Sequence, residues 1–569
     1  MKSILLMAAL GVPVICLAGN PVKLAPFEPF ETAQLDVGER AFSDREFTFL
    51  EMPEALKGMT FRRGLFDGGE VEVVAEGELT VISPAKKTSH VSQEQALAAA
   101  GFVRDESVPV FQAWGKWSCD KASVWRKHVK AGEKLAFGKW AIVCGFSAAN
   151  QRSVIRSARN KALEQRLRPQ YTEAELRDIL VTQPDFAVFI PSEPGKRHQR
   201  VAAGTHDTYN DHFQVINDEK RGRLYAFWTQ ATREPMADHH TAFRMSKDDG
   251  VTWSPLMVLA GRMDTNRTEL VERPSASWQQ PMLAKSGRLY CFWSRGYDHR
   301  MCGRYSDDGG ETWREPDVVP IDLRTPREKA EGRGRADWWC NWQRPLRLGP
   351  NGHYLVGSSR GRDGTEFWEW LNIDENPEIR DVKIAFHATG EKSLKVPKDE
   401  KGRSICEEAA PMRLPDGRLF AVMRASGGTP VWSVSADQGV TWSQPEKLRT
   451  KDGGKFIAHS VSPCPVYDWK GPEAGSGIYF GLFHLEVTDH RGPLYLVPGR
   501  FNAKAHQPVE FTGKPRLFIP RSHWNSLYTS YTILNGEGVL WYPDAAKFYL
   551  LGRVIDEGIL CLDERKMFE

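Results

Sequence analysis

The 569-residue sequence lacks three features that would each indicate a class of protein. It has almost no excess of either charge, with 76 basic and 73 acidic side chains and a net charge of +3, so it offers no dense basic surface for a nucleic acid. After residue 19 no run of about 18 apolar residues occurs, which excludes stable membrane insertion by such a run. Its nine cysteines include no C-x-x-C pair, so they are not spaced as metal ligands.

The first 19 residues have the pattern of a secretion signal. Lys2 precedes an apolar run that ends at Leu17, and the small residues Ala18 and Gly19 follow. We expect cleavage there and a soluble protein that is secreted or periplasmic. The alternative is that the segment stays on the chain as an anchor.

Cysteine usage leaves two alternatives in such an oxidising compartment. Cys291 and Cys302 fall on neighbouring strands of one predicted hairpin, where a cross-strand disulfide would fit. A large core needs no such crosslink, so free buried thiols are the other expectation.

Residues 20–148 contain short alternating segments punctuated by glycine and proline, which predict a small β-sandwich. A helical stretch from about Ser92 to Ala100 interrupts it, with Gly101 as its stop. Four tryptophans either form a sugar-stacking platform or pack in the core, namely Trp114, Trp117, Trp125 and Trp140. We interpret this segment as an accessory domain, with carbohydrate binding as one hypothesis, followed by a charged helical connector over residues 149–185.

Residues 186–569 are periodic. A glycine that opens an apolar segment recurs in steps of 65, 65, 65, 60 and 59 residues, at Gly222, Gly287, Gly352, Gly417, Gly477 and Gly536. Repeats of this length suit the four-stranded blades of a propeller, and six copies can close a ring.

Three repeats also carry the pattern S-x-D-x-G-x-T-W, at Ser246–Trp253, Ser306–Trp313 and Ser435–Trp442. The aspartate can accept backbone N–H bonds in a turn, and the glycine can supply a positive φ. These segments resemble Asp boxes, the repeat of the sialidase superfamily. The resemblance covers about residues 186–569 and implies an all-β, six-bladed β-propeller, in which the boxes are structural.

Sialic acid carries a carboxylate at its anomeric carbon, so a carboxylate nucleophile would meet like-charge repulsion. The resemblance implies a tyrosine nucleophile activated by a glutamate, arginines that hold the substrate carboxylate, a separate acid, and no cofactor. Bringing a phenol pKa from about 10 towards neutrality takes roughly 4 kcal/mol from its surroundings.

The segment from Ser404 to Trp442 fits this requirement. Glu408 precedes a PDGRL turn and Arg424 follows sixteen residues later, a spacing that resembles the activating base and one clamp arginine of sialidases. Glu407 is the rival base, because a one-residue shift moves a strand side chain to the other face.

The last repeat contains SLYTSYTIL, which resembles the segment that carries the nucleophile in sialidases. Tyr528 matches the tyrosine, and Tyr531 is the alternative. Arg491 lies 37 residues earlier, near the place of a further clamp arginine, and Arg500 competes with it.

The first blade departs from the family pattern. His212 stands where sialidases have an arginine, so either it contacts the substrate or another residue completes the clamp. The candidates for that role are Arg273, Arg295, Arg344 and Arg360. Arg344 also lies beside Trp338, Trp339 and Trp342, which suggests a sugar subsite or packing between blades.

Asp238, eight residues before Ser246, matches the general acid of the family, with Asp211 and Asp207 as competitors. The adjacent His239 and His240 would point to opposite faces of a strand, so we predict no metal there.

We therefore predict an exo-α-sialidase that acts with retention on sialylated glycans and is a monomer. One alternative is a propeller hydrolase or lyase that acts on another acidic sugar in acidic oligosaccharides. The other is a non-catalytic propeller that binds glycans.

Overall fold

The computed structural model of the chain describes residues 22–24, 32–42, 45, 47–64, 66–85, 93–114, 121–146, 162–169, 171–172, 176, 179–191, 207–232, 238–261, 275–295, 301–321, 344–349, 352–359, 364–486, 492–519, 528–544 and 547–556. The chain divides into two compact units, Met1–Ala162 and Leu163–Glu569. The predicted signal segment lies outside the described residues. Within the described residues, none of the helices has both the length and the apolar character needed to cross a membrane.

The first unit is a β-sandwich, as predicted. Its smaller sheet consists of Lys23–Leu24, Gly69–Ala75 and Lys134–Phe137. Its larger sheet consists, in spatial order, of Thr32–Gln34, Thr60–Arg62, Ile142–Cys144, Gly77–Pro84, Lys121–Val129 and Val103–Arg104, with Phe111–Gln112 also paired to Lys121–Val129. One helix, Glu94–Ala99, ends before Gly101, whose φ of +84° confirms it as a stop.

The described tryptophans of this unit are packing residues. Trp114 and Trp125 are buried, and Trp114 stacks on Trp140 with ring centroids 5.2 Å apart. Phe42 meets both of those rings edge to face. The structure therefore favours the core interpretation of Trp114, Trp125 and Trp140; Trp117 lies outside the described residues.

From Leu163 onwards, the segment predicted as a helical connector belongs to the second unit. Residues 162–167 are helical, and Leu163 and Leu167 are buried in one apolar cluster with Tyr467, Phe480 and Tyr531. Burial of such side chains favours a fixed position on the second unit. The boundary between the units thus falls after Ala162.

The second unit contains six antiparallel sheets, which we call blades 1 to 6 in chain order and which confirm the predicted propeller. Blade 1 consists of Tyr209–Asp218, Arg223–Ala231, His240–Ser246 and Met257–Gly261. Blade 2 consists of Ala276–Leu283, Leu289–Arg295, Met301–Ser306 and Asp317–Val318. Blade 3 consists of Leu346–Leu348, His353–Ser359, Thr365–Trp370 and Ile384–Phe386. Blade 4 consists of Cys406–Arg413, Leu419–Ala425, Val431–Ser435 and Glu446–Lys447. Blade 5 consists of Val466–Asp468, Ile478–Phe483, Leu494–Phe501 and Val509–Glu510, with Arg516–Ile519 paired to the third strand. Blade 6 consists of Ser530–Leu534, Glu537–Pro543, Leu550–Val554 and Phe186–Phe189. Two short 3₁₀ helices, Ile373–Glu375 and Ile379–Asp381, lie between the third and fourth strands of blade 3. A further 3₁₀ helix, Gly390–Lys392, follows the fourth strand.

The ring closes because blade 6 takes its outer strand from the start of the unit. Phe186–Phe189 pairs antiparallel with Leu550–Val554, which leaves neither strand as an open edge on that side. Each of the six repeat glycines has a positive φ, between 59° at Gly222 and 92° at Gly287, in the turn before a second strand. This conformation is the local reason why glycine recurs there.

The Asp boxes adopt the turn expected from their sequence. In the second box, Thr312 donates its backbone N–H to Asp308 Oδ1 over 2.9 Å, and Gly310, with φ +88°, donates its N–H to Ser306 Oγ over 2.8 Å. Each box starts at the last residue of a third strand, which pairs with the first residues of the second strand, as Ser306 does with Leu289. The boxes therefore lie at the end of the blades where the repeat glycines lie.

We expect Asp308→Ala to lower the free energy of unfolding by about 1–2 kcal/mol, since three donors lose their acceptor. Burial opposes ionisation of Asp308, but hydrogen bonds from Thr312 and Ser306 outweigh it and lower its pKa to about 2. The ordinary value is about 3.9, so this stabilisation is complete above pH ~4 and is lost as the pH falls towards 2. Urea unfolding at pH 7 and at pH 2.5 measures both effects; a variant equally destabilised at both values would contradict them.

The structure resolves the two alternatives for the cysteines of blade 2. Cys291 and Cys302 are both buried and form no disulfide with each other. They are out of register, since Cys291 pairs with Arg304 while Cys302 pairs with Trp293. These thiols pack as apolar side chains.

Candidate active site

Three first strands carry an irregularity at the same end of their blades. The pairing register shifts after Asp211 in blade 1, after Ser277 in blade 2 and after Glu407 in blade 4. Each bulge contains one non-glycine residue with positive φ, namely His212 (54°), Trp278 (54°) and Glu408 (59°). Bulges change the direction of a side chain, and such strained residues cluster at functional sites.

Tyr528, Glu408 and Arg424 form one hydrogen-bonded group, although they come from blades 4 and 6. The Tyr528 hydroxyl donates to Glu408 Oε1 over 2.5 Å, and Arg424 Nη1 donates to the same oxygen over 3.0 Å. Glu408 donates its own backbone N–H to Ser359 Oγ of blade 3 over 2.7 Å. The predicted nucleophile, base and clamp arginine are therefore brought together.

The choice between Tyr528 and Tyr531 follows from their surroundings. Tyr531 is buried in the apolar cluster between blades 5 and 6 and donates its hydroxyl to the Trp469 carbonyl. Burial, followed by the nearby Asp468 carboxylate, raises the pKa of Tyr531. Tyr531 is thus a core residue, and Tyr528 is the one beside the carboxylate.

Charge in this group is strongly coupled. Burial opposes the charge of Arg424, but Glu408, Tyr528 and Glu407 outweigh it and raise the pKa of Arg424 above its usual value. Burial and then the Glu408 charge raise the pKa of Glu407 to about 7, while Arg424 acts in the opposite direction. Glu408, which contacts the phenol, fits the base better than Glu407, and Glu407 is a neighbouring carboxyl that titrates near neutrality.

We expect the stability of the protein to fall as the pH rises from about 4.3, the ordinary glutamate pKa, to about 7. In that window the folded chain binds a proton at Glu407 that the unfolded chain has released, because the folded pKa is the higher one. Glu407→Gln removes this titration. Melting temperatures from pH 4.5 to 7.5 should therefore decline less steeply for the variant, and parallel declines would contradict the assignment.

His212 packs directly on the candidate nucleophile. Its ring stacks on that of Tyr528 with centroids 4.2 Å apart and planes at 28°. The backbone N–H of Phe213 donates to the Tyr528 carbonyl over 3.1 Å, which joins blade 1 to blade 6 at this point. His212 thus contributes an aromatic face against the phenol.

A buried ion pair lies beside the same ring. Lys547 Nζ is 2.5 Å from Asp211 Oδ2 and 5.9 Å from the centroid of the Tyr528 ring. Asp211, the competitor for the acid role, is held in this ion pair. Lys547 adds a cation to the surroundings of the phenol.

The predicted acid, Asp238, lies between the second and third strands of blade 1, at the same end of the blade as His212. Its side chain is fully buried, and Oδ2 accepts hydrogen bonds from the backbone N–H and the hydroxyl of Thr232. Its role as the general acid stays a prediction. Asp207 accepts a hydrogen bond from Asn210 through its backbone carbonyl.

The two histidines after Asp238 point apart, as predicted. His239 Nδ1 lies 2.9 Å from Ser277 Oγ of blade 2, whereas His240 Nε2 lies 2.9 Å from Gln230 Oε1 of blade 1. Among the residues described, no group of three or more His, Cys, Asp or Glu side chains is arranged to hold a metal ion.

The remaining candidate arginines for the carboxylate clamp lie in different parts of the chain. Arg491, Arg273 and Arg360 lie outside the described residues, as do the tryptophans beside Arg344. Arg295 ends the second strand of blade 2 and pairs with Ala276, at the same end as the Tyr528 group. Arg500 is exposed and pairs with Ile478 at the opposite end of blade 5.

Arg344 belongs to a different cavity. It lines a space of about 290 Å³ together with Lys220, Lys285, Arg347 and Glu473, which lie near the repeat turns. The lining contains none of Tyr528, Glu408 and His212. The predicted role of Arg344 in substrate binding stays a prediction.

Sequence reasoning missed two residues of the site. Trp278 left a signal, since it lies nine residues before Gly287 just as Glu408 lies nine before Gly417. Lys547 left none, because no motif surrounds it and its place beside Tyr528 depends on ring closure.

Comparison with known proteins identifies similar domains and folds. Residues 222–458 match the BNR repeat-like domain. No curated protein matches the chain in sequence. The chain is similar in structure to the NanB sialidase from Streptococcus pneumoniae in complex with 2-[(3-chlorobenzyl)ammonio]ethanesulfonate, at 12% identity over 77% of each chain, with a TM-score of 0.46.

Two further solved structures are similar at the same level. The intramolecular trans-sialidase from Ruminococcus gnavus, in complex with oseltamivir carboxylate, is 13% identical over 64% of this chain and 98% of its own, with a TM-score of 0.42. The leech intramolecular trans-sialidase complexed with 2,7-anhydro-Neu5Ac is 12% identical over 87% of this chain and 95% of its own, with a TM-score of 0.45.

Proposed function

We infer from the three Asp boxes, the six-bladed ring and the match over residues 222–458 that this chain is a divergent member of the sialidase superfamily. We propose that it is an exo-α-sialidase that releases terminal sialic acids from glycoconjugates with retention. The observation that carries the proposal is the shared oxygen, Glu408 Oε1, which accepts hydrogen bonds from both Tyr528 and Arg424.

In the first step Glu408 takes the phenolic proton as Tyr528 Oη attacks the anomeric carbon, and the bond to the leaving oxygen breaks. A neutral phenol approaches the substrate carboxylate without the repulsion that a carboxylate nucleophile would meet. The forming phenolate is favoured by Arg424, and by Lys547 at 5.9 Å from the ring centroid. Water then attacks the anomeric carbon from the face that the leaving group vacated and gives a proton to Asp238. The bond to Tyr528 Oη breaks and Glu408 returns the proton to the phenolate, so two inversions retain the configuration.

Asp238 is the proposed donor of the proton to the leaving oxygen. Its carboxylate accepts hydrogen bonds from Thr232 at the end of blade 1 where His212 lies. Arg424 is proposed to hold the substrate carboxylate through the guanidinium nitrogens that Glu408 does not occupy, with Arg491 as a second clamp residue. No cofactor takes part in these steps.

The direct test is release of a fluorophore from a sialoside by the full chain, followed by a panel of α2,3-, α2,6- and α2,8-linked sialosides. Turnover with retention, read by NMR of the first-formed anomer, supports the proposal. Glycan binding without turnover of any sialoside would contradict it and favour a binding propeller.

One observation favours a second candidate, an enzyme for a different acidic sugar. His212 presents an aromatic ring where the family has a guanidinium, so one cation of the expected clamp is replaced at this point. A hydrolase or lyase acting on such acidic oligosaccharides would leave sialosides intact, and a lyase would give products with new ultraviolet absorbance from a double bond.

The proposed setting is extracellular or periplasmic, on the basis of the signal pattern in residues 1–19. Sialylated glycans are the proposed partners, and the chain is proposed to act as a monomer. Fractionation of cells expressing the full chain, with detection of a mature N-terminus near Gly19, tests the location.

A further inference from the structure

Trp278 has a strained backbone conformation, which costs the folded protein free energy. Its φ of 54° lies in the left-handed region, where a bulky side chain is disfavoured relative to glycine. Among the described strands, three non-glycine residues have a positive φ: Trp278, His212 and Glu408. Such strain persists only where the surrounding structure imposes it, and it is concentrated at functional sites.

The three residues occupy corresponding places in their blades. His212 lies ten residues before Gly222, whereas Trp278 and Glu408 lie nine before Gly287 and Gly417. Two of them contact Tyr528, one by stacking and one by a hydrogen bond. The third has the same backbone geometry but no role in the proposed reaction.

Trp278 is close enough to serve the same site. Its ring meets the His212 ring edge to face with centroids 6.1 Å apart, and His212 in turn stacks on Tyr528. The Trp278 side chain is half-buried, so part of the indole is accessible to a ligand. It therefore lies within about the length of one disaccharide from the phenol.

A buried network fixes the two aromatic bulges relative to each other. The backbone N–H of Trp278 donates to Thr229 Oγ1 over 3.0 Å, and that hydroxyl donates to Gln279 Oε1 over 2.9 Å. Gln279 Nε2 donates to the His212 carbonyl. This arrangement fixes the backbone from which the indole projects, and a binding surface needs such support.

We propose that Trp278 is a specificity-determining residue whose indole stacks on the apolar face of a substrate pyranose ring beside Tyr528. This proposal rests on the proposed function and deepens it. An uncharged aromatic face recognises the C–H side of a sugar, which complements the recognition of the carboxylate by Arg424. The site would thus bind the charge and the ring of the sugar through different blades.

The test compares Trp278→Ala, Trp278→Gly and Trp278→Phe with the wild type on a sialoside substrate. We expect KM to rise about tenfold for the alanine and glycine variants, while kcat changes less than about threefold and phenylalanine restores most of the affinity. Glycine relieves the backbone strain, so Trp278→Gly should melt at a higher temperature than Trp278→Ala and bind equally poorly.

Trp253, the half-buried tryptophan of the first Asp box, provides the matched control. Trp253→Ala should lower the melting temperature and leave KM unchanged, since the box lies at the opposite end of blade 1. An unchanged KM for Trp278→Ala would overturn the proposal. So would a loss of kcat that follows the melting temperature across the three Trp278 variants.

If the wild type cleaves no sialoside, the proposed function fails while the role of Trp278 can still be tested. The readout is then calorimetric binding of N-acetylneuraminic acid, a glucuronate-containing disaccharide and a galacturonate-containing disaccharide. Binding of any of these sugars by the wild type that is lost in Trp278→Ala supports the role. Equal binding by both proteins, or binding by neither, would overturn it.

Discussion

Tyr528→Phe should reduce kcat on a sialoside by roughly 10³-fold or more, because it removes the atom that forms the bond to the anomeric carbon. KM should change little. The ring that stacks on His212 is kept, and the lost interaction is one hydrogen bond to Glu408. Steady-state release of a fluorophore, with the melting temperature measured on the same sample, distinguishes lost chemistry from lost folding.

Tyr531→Phe is the matched control for this variant. It removes a hydroxyl from a buried tyrosine three positions away, and the Trp469 carbonyl loses its donor. We expect a lower melting temperature and unchanged kcat. If Tyr531→Phe is the inactive variant, or Tyr528→Phe keeps more than about a tenth of kcat, Tyr528 is not the nucleophile.

Arg424→Met should both destabilise and inactivate the protein. Removal of one partner of a buried ion pair costs about 3–5 kcal/mol because the other charge stays buried without compensation. Here the remaining group is Glu408, with an exposed side-chain fraction of 4%, and Glu407 lies close enough to interact with it. Activity should fall with stability, since Arg424 supports the phenolate.

The double variant Arg424→Met with Glu408→Gln separates the two effects. Without the buried carboxylate, the uncompensated charge is gone, so most of the lost stability should return. Activity should not return, because the base is absent. Urea unfolding of the single and double variants measures this, and a double variant no more stable than Arg424→Met would show that the pair is not coupled.

The architecture was predictable because its requirements are local. Gly222 and its five counterparts need a positive φ before a second strand, and the Asp boxes need an aspartate and a glycine at fixed places within eight residues. Such local requirements can be recognised from a few consecutive residues. The pair Glu408 and Arg424 was predictable for a similar reason, since the two lie on adjacent strands of one hairpin and are joined by a hydrogen bond.

Contacts between residues of different blades could not be recognised from any short stretch of the sequence. The ion pair of Lys547 with Asp211 and the stacking of His212 on Tyr528 join residues that the ring alone brings together. The assignment of Arg344 to substrate binding stays a prediction. The aromatics beside it lie outside the described residues, and the cavity that it lines contains none of Tyr528, Glu408 and Arg424.

The pairing of Phe186 with Gly552 joins positions 366 residues apart and has a consequence for synthesis. On the ribosome, the ring cannot be completed until the last strand has emerged. At about 5–20 residues per second, the Glu408 carboxylate waits on the order of ten seconds in the nascent chain before Tyr528 and its neighbours can enclose it. A chain that stops before Leu550–Val554 would therefore leave Phe186–Phe189 without its partner strand and the ring open.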